Sequence, residues 1–224
     1  MVKLWFAILA GTWMIAQPAQ AFLTSGRLRL QAAVGGALTG FSQELGTLPG
    51  SNSIQEYGYN PTYGATLGVD VTLFKYMSIE AGIGAWTRSF SANSLNVDAG
   101  STSARGFTIL SAQIPVIIRF WPVSWLNLGA GAYYARAIGD FSAGSQGATQ
   151  TLEGFGLIAD EGGIVGSIAG HVSLTGFGFF LELRYVHSLN NLATAVIQAI
   201  GVRTANYRDW QLTLGLRLGD TPKH

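Results

Sequence analysis

The sequence predicts an all-β fold, an eight-stranded antiparallel up-and-down transmembrane β-barrel, and three observations predict it. After residue 27 apolar residues recur with a period of two almost everywhere, which is the period of a strand. Hydrophobic residues make up 48% of the chain and charged residues only 11%, where a soluble domain carries about 25%. Long polar connections alternate strictly with short ones, as in a meander whose turns gather at one end and whose loops gather at the other. The same composition, with a formal net charge of +1, excludes a disordered chain. A helical bundle in lipid would show several apolar runs near 20 residues, and only one apolar run exists, at the N-terminus and too short to span, so that class is excluded too.

That run, residues 1–21, reads as a secretory signal peptide: Lys3 gives the positive start, residues 4–16 the apolar stretch, and Ala19-Gln20-Ala21 the small-x-small cleavage site. Its removal leaves 12 basic against 12 acidic residues and assigns residues 22–218 to the barrel, with 219–224 as a short tail. A neutral chain argues against nucleic acid as a partner. Cysteine is absent, so an exported fold must close by backbone pairing and not by disulfides.

The strands follow in order. Residues 27–41 form the first, with Leu28, Leu30, Ala32 and Val34 on one face; its pattern is noisier, and an even closure at eight strands supports it. Tyr63, Ala65, Leu67, Val69, Val71 and Leu73 form the second row, opposite Gly64, Thr66, Gly68, Asp70 and Thr72. After a turn at residues 74–76, Met77, Ile79, Ala81, Ile83 and Ala85 repeat it, opposite Ser78, Glu80, Gly82, Gly84, Trp86 and Arg88. The next rows are Leu110 to Phe120, Leu126 to Tyr134, and Ile164 to Leu174, taken every second residue. Phe179, Leu181, Leu183 and Tyr185 give the seventh, and Trp210, Leu212, Leu214, Leu216 and Leu218 the eighth. The short connections are 74–76, 121–125 and 175–177; the long ones are 42–58, 91–106, 137–161 and 188–206.

Alternation alone does not say which face meets lipid, and a secreted ligand-binding barrel shows it as well. Three features favour the membrane: the non-apolar rows are mostly Gly, Ser, Thr and Gln, the strands are long enough to cross a bilayer, and aromatics gather at strand ends. Phe74, Tyr76, Phe120, Trp121, Trp125 and Phe179 lie near the short turns. Tyr63, Phe90, Phe107, Tyr133, Tyr134, Tyr185, Tyr207 and Trp210 lie toward the long loops. Residues 113–120 (Gln-Ile-Pro-Val-Ile-Ile-Arg-Phe), 129–134 (Gly-Ala-Gly-Ala-Tyr-Tyr) and 184–192 resemble the porin-like outer-membrane β-barrel domain family. The resemblance covers most of the chain after the leader. It implies integral residence in the outer membrane, with outer-membrane lipid and the barrel-assembly machinery as partners, and it implies little chemistry. Barrels of this kind often end on an aromatic residue; here the last row stops at Leu218.

If the apolar rows face lipid, the charges opposite them sit inside. Asp70, Glu80 and Glu182 face Arg119, Arg184 and Arg217, and Glu80 reaches the height of Arg119 on the next strand. Unpaired charge in a narrow lumen is costly, so these six are expected to form an ion-pair network that closes the barrel. The inner-face glycines make room for bulky neighbours such as Trp86.

No enzyme is expected. His187-Ser188 is the sharpest catalytic pair, yet adjacent strand residues point to opposite faces, position 189 is Leu, and Asp209 is the one nearby acid. Outer-membrane lipid A deacylases instead place the Ser two residues after the His, with a Glu downstream. His171 reads as a lumen side chain, and Asp160-Glu161 as a solvated rim. Spacing supports neither a cofactor nor a metal site. The expected role is structural or in surface interaction, with an extracellular ligand met by four long extracellular loops. A narrow porin-like channel for small solutes and a lipid-modifying enzyme are the alternatives. Residues 192–200, with Ala193, Val196, Ile197 and Ile200 on one helical face, are expected to cap the rim.

Overall fold

The structure, a computed structural model, describes residues 28–45, 55–57, 60–96, 101–143, 148–150, 159–191 and 202–220. Eight long strands alternate with three short turns: β1 (Leu28–Leu45), β3 (Asn60–Phe74), β4 (Met77–Asn96), β5 (Ser101–Val123), β6 (Leu126–Ala143), β8 (Asp160–Ser173), β9 (Gly176–Ser188) and β10 (Val202–Asp220). Two three-residue strands, β2 (Gln55–Tyr57) and β7 (Ala148–Gln150), extend the β4 and β6 edges at the long-loop end. Each long strand pairs antiparallel with its neighbours in sequence, and β1 pairs with β10, so the sheet closes without a free edge. Residues 1–21, expected to be a signal peptide, and residues 192–200 lie outside the described residues, as do residues 221–224.

The rows face as their alternation requires. Val34, Leu67, Ile83, Ile118, Ile168, Leu181 and Leu214 are exposed on the outside, while Ser78, Glu80, Ser111, Asn127, Thr213 and Arg217 are buried within. A barrel whose exterior is apolar and whose interior is charged inverts the polarity of a soluble fold, and it is stable only with lipid around it. The chain is therefore an integral membrane barrel of the outer-membrane type.

Three expectations change. The segment 91–106 is a hairpin and not a loop, because β4 and β5 stay paired up to Asn96↔Ser101. Likewise β6 continues to Ala143 and β10 begins at Val202. Ser, Asn and Thr sustain a backbone ladder without apolar alternation, so the sequence signal fades at the bilayer edge while the pairing continues. At the other end β10 runs to Asp220, two residues past Leu218, with Gly219 at φ +84° where the register shifts. The turn after β8 needs Gly176 at φ +88°, a conformation that favours glycine.

The aromatic belts also lose members. Phe74, Tyr76, Phe120, Trp125 and Phe179 are exposed near the short turns, and Tyr63, Tyr134 and Trp210 toward the long loops. Trp121, Tyr133 and Tyr207, however, are buried in the lumen. Each lies one residue from an outward position, so strand parity overrides the attraction of an aromatic for the interface. The side chains of Phe90 and Phe107 lie outside the described residues.

Pro115 sits in the middle of β5. Without an N–H it cannot complete a ladder. The β4–β5 register is the same on both sides, at Ala81↔Val116 and Gly84↔Gln113, but the two positions between are not paired.

The lumen as candidate functional site

Among the described residues the lumen holds ten buried charges, five arginines (29, 88, 119, 184, 217) and five acids (Asp70, Glu80, Glu161, Glu182, Asp209). They stack in layers from the short-turn end outward.

In the first layer Arg29 Nε donates to Asp70 Oδ1 at 2.8 Å and its Nη2 to Thr72 at 3.0 Å, while Ser78 Oγ donates to Asp70 Oδ2 at 2.8 Å. Trp121 Nε1 donates to Ser78 at 3.0 Å, and its ring lies 4.9 Å from the Arg29 guanidinium and 5.3 Å from that of Arg217. Arg217 donates to His171 Nδ1 and to Gln31 Oε1, both at 3.2 Å, and lies 5.4 Å from the Phe180 ring. His171 is a lumen side chain packed between Trp121 and Phe180. Aromatic faces thus share the work of holding two guanidinium groups.

The second layer is a ring of four charges. Arg119 donates to Glu80 at 2.5 Å and to Glu182 at 2.8 Å; Arg184 donates to the same two carboxylates at 3.1 and 3.0 Å. The Asn127 amide accepts from Arg119 Nη1 at 2.6 Å and lies hydrogen-bonded against His171, joining this ring to the first layer. Of the six residues picked from the sequence, the structure brings Glu80, Arg119, Glu182 and Arg184 into direct contact. Asp70 and Arg217 belong to the neighbouring layer.

The third layer is neutral. Gln211 Nε2 donates to Gln113 Oε1 at 3.3 Å, and Trp86 fills the space beside Gly64 and Gly84. A Cβ on Gly64 would run into the Trp86 ring, so that glycine is a packing requirement. On the opposite wall Ile117, Tyr133, Ala135, Val165 and Val186 form an apolar cluster inside the barrel.

The fourth layer, toward the long loops, was missed by sequence reasoning. Arg88 forks onto Glu161, and it meets Asp209 Oδ2 with Nε at 3.1 Å and Nη2 at 3.0 Å. Tyr133 OH donates to Glu161, and Tyr207 stacks 4.7 Å beneath the guanidinium. Glu161 is only 3% exposed, which corrects its reading as a solvated rim; Asp160, on the other face, is 48% exposed. Parity carried the missing signal: Arg29, Arg88, Glu161 and Asp209 each follow or precede an outward residue.

Ser188 and Asp209 face the lumen and are buried, whereas His187 lies on the outward row, stacked on Tyr185. Ser188 Oγ donates to the Asn190 carbonyl at 3.2 Å, and Asp209 is held by Arg88. Nucleophile and base are thus on opposite sides of the barrel wall. Among the described residues no three His, Cys, Asp or Glu side chains gather as metal ligands.

No family model matches the chain, and no curated protein matches it. Solved structures do. The outer membrane protein OprG of Pseudomonas aeruginosa is 12% identical over 85% of this chain and 94% of its own, with a TM-score of 0.48. Ail, the attachment invasion locus protein of Yersinia pestis, is 12% identical over 86% and 99%, with a TM-score of 0.44. The outer membrane protease OmpT of Escherichia coli is 8% identical over 85% and 96%, with a TM-score of 0.47.

Proposed function

We propose that the chain is a non-enzymatic outer-membrane barrel with a closed lumen, acting in envelope structure or surface interaction through its long extracellular loops. The supporting observation is the filling of the interior. Two ion clusters and the apolar patch around Ile117 occupy successive cross-sections of a barrel whose bore is about wide enough for side chains alone. Among the described residues side chains fill the lumen, which supports the long-loop end as the surface left for function. Outer-membrane lipid surrounds the barrel, and the assembly machinery inserts it.

Proteoliposomes loaded with the purified barrel and placed in small sugars should not swell. Swelling faster than protein-free vesicles would replace this reading with the narrow solute channel. The surface role is tested on cells carrying the wild type or a variant with residues 144–158 replaced by a short turn. Adherence to glycan- or protein-coated surfaces should fall while the barrel still assembles.

A further inference from the structure

The neutral layer and its border with the Arg88 cluster hold five polar atoms that no described residue serves: Trp86 Nε1, Ser111 Oγ, Gln113 Nε2, Gln211 Oε1 and Asp209 Oδ1. Each belongs to a lumen-facing side chain at most 4% exposed. Buried polar atoms are nearly always paired, with protein or with ordered water. These five also lie together. Trp86 and Ser111 are cross-strand partners on β4 and β5, Gln113 is two residues along the same face, and Gln113 meets Gln211 of β10 across the barrel. Two residues from Gln211 is Asp209, held by Arg88, and Arg88 is two residues from Trp86. The six side chains close a ring.

Local geometry explains why the atoms stay bare. Trp86 Nε1 lies 3.1 Å from where a side chain on Gly84 would begin, and Gly84 is the cross-strand partner of Gln113, so the indole N–H comes down beside that amide. The one hydrogen bond between the glutamines leaves a donor on Gln113 and an acceptor on Gln211 unused. Asp209 gains nothing from its cross-strand partner Thr39. Thr62 Oγ1 donates to the Ala37 carbonyl at 3.3 Å, so the Thr39 hydroxyl, 3.3 Å from Thr62, spends its proton there. Ser111 also lines a cavity of about 10 Å³ with Arg88, Glu161 and Tyr207, about the room that one water needs.

We infer that this ring binds a pair of ordered waters, one where Trp86, Gln113 and Gln211 meet and one in the cavity at Ser111. A buried water makes about three hydrogen bonds, so roughly two waters serve the five atoms. The ligand must donate and accept: a metal cation is repelled by the indole and amide N–H groups, and an anion by the bare oxygens of Gln211 and Asp209. The cavity is too small for a larger solute. These waters solvate the Arg88 cluster, whose two carboxylates share one guanidinium. Their slow exchange rests on the closed lumen proposed for the chain.

The test is water-selective NOE and ROE spectroscopy of the barrel in detergent micelles, with its tryptophans labelled by nitrogen-15. The Trp86 indole N–H, identified by its loss in Trp86→Phe, should show a dipolar cross-peak to water with the sign of a long-held molecule. Gln113→Leu with Gln211→Leu, which replaces both amides by apolar groups, should lose that peak while heat-modifiable migration is kept. Should the double variant fail to assemble, Gln211→Met carries the same expectation. No cross-peak in the wild type, or one that survives these variants, would overturn the site. So would a peak that vanishes, with a higher unfolding midpoint, when sodium or potassium chloride replaces choline chloride, since a cation would then sit at Asp209. A cross-peak with the sign of fast-exchanging water would overturn the trapped waters and the closed lumen together, whereas no peak in a barrel that passes no solute would overturn the waters alone.

Discussion

The two ion clusters of the lumen are built on opposite balances. Around the short-turn end, four arginines (29, 119, 184, 217) meet three acids, Asp70, Glu80 and Glu182. The cluster near the long loops has one arginine, Arg88, for two acids, Glu161 and Asp209. The lower ring is redundant, because Glu80 and Glu182 each contact both Arg119 and Arg184. The upper one depends on a single guanidinium. Removing one member of a buried set leaves the others desolvated and unpaired, whereas replacing the whole set by neutral groups is often tolerated. Equal burial therefore does not mean equal sensitivity.

The largest effect should come from Arg88→Met, which leaves two carboxylates buried at one height. A loss of about 3–5 kcal/mol is expected, read as a lower midpoint of the heat-modifiable gel shift in urea. Replacing all three groups together, Arg88→Met with Glu161→Gln and Asp209→Asn, should restore the midpoint to within about 1 kcal/mol of wild type. If the triple variant is as unstable as the single one, the cost lies in lost packing against Tyr207 and not in stranded charge. Arg119→Met should cost less, nearer about 3 kcal/mol at the lower edge of that range, since Arg184 still reaches both acids. Equal losses for Arg88→Met and Arg119→Met would erase the contrast between the clusters.

Between them lies the neutral layer, whose limit is volume. Gly64→Leu should press on Trp86 and cost about 1–3 kcal/mol, visible as a change in tryptophan emission together with a lower unfolding midpoint. The smallest effect is expected at His187, whose side chain is on the outward row and so across the barrel wall from the Arg88 cluster. His187→Ala should move the midpoint by no more than about 0.5 kcal/mol and leave the lipid profile of the membrane unaltered; a changed profile would revive the lipid-modifying alternative.

The same contrast explains what could be read from the chain. The facing of every long strand was legible, because an apolar row meeting lipid forces strict alternation from Tyr63 to Leu73 or from Trp210 to Leu218. The lower ring was legible for the same reason: Glu80, Arg119, Glu182 and Arg184 interrupt rows deep within the belt. Near the long loops the outward residues turn polar. There Arg88 is one charge among Thr87 and Ser89, and Glu161 follows a truly exposed Asp160. An aromatic such as Tyr133 suits both lipid interface and lumen, so residue type alone points either way and parity must decide. Arg29 was hidden by the noise of the first strand, and the hairpin at 91–106 by polar residues that pair as well as apolar ones.

Planar-bilayer recording of the wild-type barrel tests the closed lumen most directly. With both clusters intact and the apolar patch between the walls in place, the current should stay at the bare-membrane baseline across a wide voltage range. A steady, large open conductance from the correctly folded barrel would contradict it.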